Sequence, residues 1–444
     1  MALSGIQIYK MLPMTNCKDC DFPTCLAFAM KLAAKQVELS LCPHVSEESK
    51  ALLSEAAAPP VRPFVLKSNG HEVKAGNEVV LFRHEKTFYS RPGLFLRVYD
   101  SQSIDEIKAK IEPADAYVVD YVGIDLDMGG FVVQSDGGDF AQAVKAVRSV
   151  SQRPMILVGP PDQLKAGLAE LNGDEKVMLA HATEQNWEAM AALAKEHDAA
   201  LAVEADSVDD MVALSEKVSQ AGVKDLVLSP TQRGFQGTLM ANTTSRRMAI
   251  KKNFRALGYP IISFPGDVGD AAREAMLAAQ AIGKYSGFIV LDHFTPETAY
   301  ALLVLRENIY TDPQKPIQVQ PGVYEINDPG PDAPVLVTTN FSITYFSVAN
   351  EVESSGNPAW LLVTESEGMS VLTAWAAGKF DAEIIAKDVK RFKVGEKAPG
   401  SMNIVLPGHT AVLSGELEEE LPDWHVLVGP REAVDIPAYL KTAI

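Results

Sequence analysis

A repeated alternation occupies the middle of this chain: short apolar runs rich in β-branched residues are each followed by an amphipathic stretch of helical period. Strands that are apolar on both faces and separated by helices predict a parallel sheet that helices cover. A closed (β/α)8 (TIM) barrel needs eight such units in about 250 residues. The predicted strands are 94–99, 116–120, 155–158, 177–180, 200–204, 226–229, 261–264 and 288–292, and the helical stretches include 140–150, 187–196, 208–220 and 271–283.

Proline-containing breaks on either side of this pattern divide the chain into three predicted domains. The run Ala-Ala-Ala-Pro-Pro at 56–60 cannot continue a helix, and Pro313, Pro316 and Pro321 punctuate an extended connector at 312–322. We predict an α/β protein with domains at residues 1–60, 61–320 and 321–444, the connector acting as a hinge. A further short strand is expected at 78–82.

The third predicted domain is a small open α/β fold. Its predicted strands are 335–337, 360–363, 404–406 and 425–428, and its predicted helices are 371–377, 382–392 and 433–442. Loops at the carboxyl ends of such strands form the natural ligand crevice. Four polar or glycine-containing loops, at 338–340, 367–370, 407–410 and 429–432, offer backbone N–H groups to a large cofactor. Helix capping explains any one loop, but four at one edge favour a ligand site.

All four cysteines fall within the first 42 residues, as Cys17, Cys20, Cys25 and Cys42 in the spacing C-x2-C-x4-C-x16-C. Four soft thiolates suit an iron–sulfur cluster or a tetrahedral zinc ion. Zinc sites usually present two short C-x2-C pairs, whereas here three ligands come from one loop and the fourth follows a predicted helix at 26–41. This wider cage, with a proline after the last cysteine, favours a [4Fe-4S] cluster. Zinc and two disulfides are the alternatives, and residues 1–15 show no secretory leader that would support disulfides.

Charge and hydropathy exclude two classes of partner. The 444 residues include 40 Lys and Arg against 58 Asp and Glu, so the net charge of −18 argues against nucleic acid. No apolar run reaches the roughly 18 residues of a membrane span. Arg247, Lys251 and Arg255 recur every four residues, which indicates a solvated face or a contact for an acidic partner protein. We expect a cytoplasmic protein.

No catalytic residue is assigned from the sequence. Asp423-Trp424-His425 resembles the Asp-x-His-x-x-Gly signature that supplies a histidine to cobalt in many cobalamin proteins, but Gly429 comes one residue late. His293 follows the last predicted barrel strand, where barrel active sites lie. Acidic residues near predicted strand ends, which helix capping explains equally well, are Asp120, Asp125, Asp127 and Glu204.

Segments spread along the whole chain resemble one known family. They are Ile8-Tyr9-Lys10 and Leu12-Pro13, the C-x2-C-x4-C-x16-C-Pro segment, and the stretches 308–313 (Asn-Ile-Tyr-Thr-Asp-Pro), 337–342 (Val-Thr-Thr-Asn-Phe-Ser) and 428–433 (Val-Gly-Pro-Arg-Glu-Ala). These segments and the order of the three domains are similar to the large (gamma) subunit of the corrinoid iron–sulfur protein. That family belongs to the acetyl-CoA synthase/decarbonylase system of acetogens and methanogens.

The resemblance implies a methyl carrier rather than a free-standing enzyme. The corrinoid cobalt would accept a methyl group from methyltetrahydrofolate through a separate methyltransferase and donate it to acetyl-CoA synthase, in the reductive acetyl-CoA (Wood–Ljungdahl) pathway. The [4Fe-4S] cluster would reduce cobalt that has oxidised from Co(I) to Co(II). Implied partners are a small (delta) subunit in a heterodimer, the methyltransferase, and acetyl-CoA synthase/CO dehydrogenase.

The resemblance also implies how the corrinoid is held. The cofactor would be cobalamin-type without a histidine lower ligand, which makes four-coordinate Co(I) easier to reach. Thr373 would lie nearest the lower face of the cobalt, and the barrel would serve as scaffold and subunit interface. The implied corrinoid contacts are Asn340, Phe346, Ser370, Val371, Leu372, Thr373 and Ala433.

Two other functions stay open at this stage. A barrel methyltransferase would use a pterin directly, keep the cluster for structure and depend on groups such as Asp120 or His293. A ferredoxin-like electron-transfer subunit would use its C-terminal domain only to bind a partner protein.

Overall fold

The computed structural model describes residues 5–33, 36–50, 53, 59–312 and 316–442, which fold into two units. The first contains Met1–Val118 and Asp127–Tyr310, and the second contains Val119–Leu126 and Thr311–Ile444. Residues 56–58 of the predicted linker and Pro313 of the predicted connector lie outside the described residues, so the three-domain division stays a prediction. Within the described ranges, no helix has the length and apolar character needed to cross a membrane.

The N-terminal segment forms two short helices, α1 (Gly5–Tyr9) and α2 (Cys25–Ala33), and a 3-10 turn at Leu39–Leu41. The single helix predicted at 26–41 is therefore too long. Residues 34 and 35 lie outside the described ranges, and the chain then turns tightly, with the backbone N–H of Cys42 donating to the Leu39 carbonyl at 3.1 Å. This turn returns Cys42 to the same apolar cluster as Cys25.

An antiparallel hairpin of β1 (Phe64–Ser68) and β2 (His71–Ala75) precedes the barrel. Its alternate residues Phe64, Leu66, Val73 and Ala75 join the apolar cluster inside the barrel. Phe64 stacks on Phe288 with ring centroids 5.6 Å apart. The strand predicted at 78–82 is not formed.

Eight parallel strands close into the predicted barrel, in the order β3-β6-β7-β8-β9-β10-β11-β12. The strands from 93 to 291 are β3 (Gly93–Tyr99), β4 (Val118–Tyr121), β5 (Ile124–Asp127), β6 (Gly130–Gln134), β7 (Met155–Val158), β8 (Met178–Ala182), β9 (Ala200–Ala205), β10 (Leu226–Pro230), β11 (Ile261–Ser263) and β12 (Ser286–Leu291). The helices of this unit are α3 (Ile104–Asp115), α4 (Phe140–Val150), α5 (Pro161–Leu168), α6 (Trp187–Glu196), α7 (Val208–Gln220), α8 (Gly234–Lys251), α9 (Ala271–Gly283) and α10 (Pro296–Tyr310).

One predicted barrel strand is wrong. The run 116–120 contributes to β4, which pairs with β5 in a separate two-stranded sheet, and β6 takes its place in the barrel. Between β4 and β5, Val122 and Gly123 both have positive φ, at 51° and 81°, as the tightest hairpin turns require. The barrel strand β6 instead begins at Gly130, where a Cβ atom would lie 2.1 Å from the Pro154 carbonyl oxygen.

The second unit contains an open five-stranded sheet in the order β13-β15-β14-β16-β17. Its strands are β13 (Gly322–Ile326), β14 (Val335–Thr339), β15 (Ala359–Thr364), β16 (Asn403–Leu406) and β17 (His425–Val428). Only the edge strand β13, which the sequence did not predict, runs antiparallel. The helices are α11 (Ser342–Ser355), α12 (Val371–Ala376), α13 (Ala382–Arg391), α14 (Val394–Lys397), α15 (Ser414–Glu420) and α16 (Ile436–Thr442). Consecutive strand residues such as Val335 and Leu336 point to opposite faces of the sheet and enter separate apolar clusters.

Candidate cofactor sites

Three of the four cysteines share one small apolar core at the N-terminus. Cys20, Cys25 and Cys42 are buried in a cluster that also contains Phe28, and Cys17 is exposed. All four thiols are free. Because thiolates are the preferred ligands of iron–sulfur clusters and of zinc, this gathering of free thiols suits a metal centre.

The loop that carries the first two cysteines is shaped by left-handed residues. Asn16, Lys18 and Asp21 have φ values of 49°, 70° and 62°. Non-glycine residues rarely adopt such values, so the loop needs local support. Part of that support is a hydrogen bond from the backbone N–H of Cys25 to Asn16 Oδ1 at 2.8 Å. This bond ties the loop to the start of α2.

An exposed polar pair lies beside Cys17. His44 Nε2 and Asp19 Oδ2 are 2.6 Å apart, and one ligand atom from each of these residues lies within 4.8 Å of the Cys17 sulfur. Hydrogen bonds from His44, which has the larger effect, and from Cys17 hold the pKa of the Asp19 carboxyl below its usual value. A sulfur, an oxygen and a nitrogen ligand so close together also suit zinc, so geometry alone leaves that alternative open.

A cavity of about 400 Å³ opens at the carboxyl ends of the second unit's strands. Its lining residues fall within 336–338, 343–348, 370–372, 405–409 and 429–436. The chain passes from β14 to β15 on one side of the sheet and returns to β16 on the other, so the crevice lies at the topological switch point. Of the residues predicted to contact a corrinoid, Ser370, Val371, Leu372 and Ala433 line this cavity.

Features of the cavity wall suit a large cofactor with apolar and polar parts. The hydroxyl of Thr338 is buried at the wall without a hydrogen-bond partner in the described structure. Ile343 and Leu372 line the cavity although their side chains are 66% and 46% exposed. A Cβ atom on Gly408 would lie 2.6 Å from the Gly429 carbonyl oxygen, so the two loops meet backbone to backbone. An unpaired hydroxyl beside exposed apolar side chains indicates a surface that a ligand covers.

The remaining predicted corrinoid residues do not line the cavity. Thr373 is exposed, and its Oγ1 lies 3.0 Å from Ser370 Oγ at the start of α12. Phe346 stacks on Tyr121 with ring centroids 6.1 Å apart and an interplanar angle of 22°. Asn340 is fully buried and hydrogen-bonds the loop that precedes α12.

The barrel has a polar network around the buried Arg97 at the carboxyl ends of its strands, and of its members the sequence analysis named only Glu204. Arg97 pairs with Asp292 and with Asp267, and Arg233 connects Asp267 to Glu204 at 2.8 and 3.3 Å. Burial raises the pKa of Glu204. Phe95, Arg97 and Tyr99 occupy every second position and therefore share one face of β3. This spacing was the sequence signal that could have placed Arg97 in the network.

His293, Asp127 and Asp120, which lie at or after the ends of predicted strands, each have a structural partner. His293 Nδ1 lies 2.7 Å from Glu274, and Asp127 pairs with Arg153 at 2.6 Å. Asp120 Oδ2 accepts from the Gly123 N–H in the β4–β5 turn. His409, in the loop predicted at 407–410, lines the cavity of the second unit.

Comparisons with known proteins match the chain over nearly its full length. A family model for the CO dehydrogenase/acetyl-CoA synthase delta subunit matches residues 64–440, and an Fe-S cluster family model matches residues 12–44. The chain is 41% identical to the corrinoid/iron-sulfur protein large subunit of Moorella thermoacetica, with 99% of each chain covered. It is 34% identical to the acetyl-CoA decarbonylase/synthase complex subunit gamma of Methanopyrus kandleri, over 99% of this chain and 97% of the relative.

A third relative has the same subunit name as the second. The gamma subunit of the same complex in Archaeoglobus fulgidus is also 34% identical, over 99% of this chain and 98% of its own length. The longer family model is named for a delta subunit, but these full-length relatives are large or gamma subunits. The predicted resemblance is confirmed: the chain belongs to the family of corrinoid/iron-sulfur protein large subunits, the gamma subunits of acetyl-CoA decarbonylase/synthase complexes.

Proposed function

We propose that this protein is a methyl carrier that binds a cobalamin-type corrinoid at the cavity of its second unit and a [4Fe-4S] cluster at its four cysteines. The observation that carries the proposal is the switch-point cavity with its unpaired Thr338 hydroxyl. When bound, the corrinoid supplies a nucleophilic cobalt that takes a methyl group from methyltetrahydrofolate, through a separate methyltransferase, and gives it to acetyl-CoA synthase.

The residues of the cavity would hold and orient the corrinoid. Ser370, Val371, Leu372 and Ala433 line the wall, which supports direct contact. Thr373 would approach the lower face of the cobalt, where a hydroxyl is too weak a donor to act as a firm ligand. Ile343 and Leu372 would lose their exposure to water when the cofactor binds, which favours binding through the hydrophobic effect.

Asn340 and Phe346, two of the predicted contacts, could shape the site without contacting the cofactor themselves. Asn340 would set the loop before α12, and Phe346 would act through its stacking on Tyr121. We retain both as proposed members of the corrinoid site.

Cys17, Cys20, Cys25 and Cys42 would ligate the cluster. Cys20, Cys25 and Cys42 are buried and would shield a bound cluster from water, and the exposed Cys17 would be the ligand nearest an electron donor or acceptor. The cluster would return an electron to oxidised cobalt. Free thiols and such a cluster require a reducing compartment, so we assign the protein to the cytoplasm.

The relatives' names support membership in a multi-subunit complex. The proposed partners are a small (delta) subunit in a heterodimer, the methyltransferase, and acetyl-CoA synthase/CO dehydrogenase. The barrel would act as scaffold and subunit interface. Its carboxyl-end ion pairs satisfy one another, which makes the alternative of a pterin-dependent barrel methyltransferase less favoured.

The test is anaerobic co-expression with the small subunit and a supply of cobalamin. We expect the purified complex to show both corrinoid and iron–sulfur absorption, and a complex without corrinoid would overturn the proposal. Methyl transfer by the isolated chain from methyltetrahydrofolate to free cobalamin would instead establish the barrel methyltransferase. Cys20→Ala should preserve methyl transfer from already reduced protein and abolish reactivation of oxidised cobalt.

A further inference from the structure

The segment that enters the second unit runs beside the loop that follows β14. The backbone N–H of Val319 donates to the Asn340 carbonyl at 2.9 Å, and the N–H of Ser342 donates to the Ile317 carbonyl at 3.3 Å. Between them, Gln318 forms an isolated antiparallel bridge with Phe341. Residues 317–319 are therefore fixed to the sheet end as a short added strand.

Gln318 also reaches past this strand to a second loop. Its side chain lies so close to Gly368 that a Cβ atom there would be 2.8 Å from Gln318 Cγ. Its Oε1 accepts from Asn340 Nδ2 at 3.4 Å, and the same nitrogen donates to Glu365 Oε1 at 3.0 Å. Gln318 thus contacts both the loop before α12 and the residue that holds this loop.

Asn340 holds the loop through its other side-chain atom. Asn340 Oδ1 accepts three hydrogen bonds, from the Ser366 N–H at 3.1 Å, the Ser366 hydroxyl at 2.7 Å and the Gly368 N–H at 3.0 Å. The side chain is fully buried, so these bonds are shielded from water.

The loop needs such support because its backbone is unusual. Glu367 and Gly368 have φ values of 55° and 71°, a left-handed conformation that is unfavourable for glutamate. Two residues later the chain reaches Ser370, which lines the cavity and precedes α12. The position of Ser370 and Thr373 therefore depends on how residues 366–368 are held.

We propose that Gln318 is a positioning residue, which sets the floor of the corrinoid cavity through Asn340 and Gly368. The inference rests on the proposed function and adds a regulatory consequence to it. Since Gln318 belongs to the segment through which the chain enters this unit, displacement of that segment would alter the surroundings of Ser370 and Thr373. The part of the corrinoid site near Thr373 would then respond to the position of residues 317–319.

The test compares Gln318→Ala with Gln320→Ala in the complex with the small subunit, loaded with cob(II)alamin. Gln320 is a matched control because it is exposed and, among the described residues, its hydrogen bond uses the backbone carbonyl, which accepts from the Tyr324 hydroxyl at 2.7 Å. We expect Gln318→Ala to weaken cobalamin binding by about tenfold, the lower end for groups that orient a metal site. It should also change the cobalt(II) EPR spectrum, which reports the axial surroundings, and Gln318→Met should restore part of the packing against Gly368.

Binding and EPR spectra of Gln318→Ala that match the wild type would overturn the inference. A wild-type complex that takes up no cobalamin would instead overturn the proposed function. In that case, hydrogen–deuterium exchange of the cofactor-free chain still decides the positioning role. Gln318→Ala should accelerate exchange of the Ser366 and Gly368 amides whereas Gln320→Ala should not, and equal exchange in both variants counts against it.

Discussion

Arg97 and Asp292 join the first and last strands of the barrel through two parallel hydrogen bonds. Arg97 Nε donates to Asp292 Oδ1 at 2.7 Å and Nη2 donates to Oδ2 at 2.8 Å, with the arginine side chain only 4% exposed. A planar guanidinium matches a carboxylate in this geometry better than a lysine could. The pair therefore fastens the seam at which the barrel closes.

Arg97→Ala should destabilise the barrel strongly. It leaves the Asp292 carboxylate without its buried partner and leaves Asp267 with Arg233 alone. Removing one member of a buried pair costs about 3–5 kcal/mol, and the partial exposure of Asp292 favours the lower end of this range. Urea unfolding followed by circular dichroism measures the change. The control is Lys74→Ala, which breaks an exposed pair with Glu72 and should change stability by less than about 1 kcal/mol. Equal effects of the two substitutions would contradict the role of Arg97.

Stability should also depend on pH through His181. Burial, with the nearby Arg233 charge as second cause, lowers the pKa of His181 to about 3. The unfolded chain binds a proton on this residue as the pH falls below about 6.5, whereas the folded chain does not. The lowered pKa of His181 therefore costs no stability above pH 6.5. As the pH falls from 6.5 towards 3, it lowers the free energy of unfolding by up to about 1.4 kcal/mol per pH unit.

His181→Gln should flatten this dependence. We expect the urea midpoint of the wild type to fall more between pH 6.5 and pH 5 than that of the variant. His197→Gln, at an exposed histidine, serves as the control and should keep the wild-type slope. If His181→Gln and the wild type lose stability equally over this range, the buried imidazole does not carry the effect.

Substituting two adjacent threonines distinguishes an effect on cofactor binding from an effect on stability. Within the described ranges the hydroxyls of Thr338 and Thr339 are both buried without a hydrogen-bond partner, and of the two residues only Thr338 lines the cavity. Each Thr→Val substitution should raise the stability of the cofactor-free chain by about 1 kcal/mol, since an unpaired buried hydroxyl is unfavourable. Thr338→Val should also weaken cobalamin binding, measured by titration of the complex, and Thr339→Val should not. Equal affinities in the two variants would remove Thr338 from the site.

His44→Ala distinguishes the two candidate metals. If the four cysteines ligate a [4Fe-4S] cluster, the variant should keep about four irons per chain, because no histidine is needed. If zinc is bound by Cys17, Asp19 and His44, the variant should lose the metal. Metal analysis of anaerobically purified protein measures both, and Cys20→Ala is the control that should lose the iron.

The barrel was predictable because its strands are buried on both faces. Seven of the eight predicted runs overlap barrel strands, and four predicted helices, such as Phe140–Val150, match observed ones closely. The exception, 116–120, is as β-branched as β6, and local composition does not reveal which of two neighbouring runs pairs with β3. The distinguishing signal was Gly129-Gly130, since Gly130 is where β6 approaches the Pro154 carbonyl too closely for any side chain.

The site was less accessible to sequence reasoning. Loops at strand ends indicated where a cavity would form, because parallel strands end at one edge of a sheet. The roles of Gln318 and Asn340 were not accessible, because they depend on contacts between residues 22 to 28 positions apart. Arg97 and His181 lie within mostly apolar strands, so the sequence pattern did not predict that they would be polar residues inside the barrel.

The β4–β5 hairpin means that the second unit is not a single stretch of chain. Residues Val119–Leu126 belong to it although they lie between segments of the first unit, and they bring Tyr121 to Phe346. A fragment that begins at Thr311 would lack this hairpin and uncover the aromatic face of α11. The second unit therefore needs two separate segments of the sequence, and transferring residues 311–444 alone to another protein would leave out part of its fold.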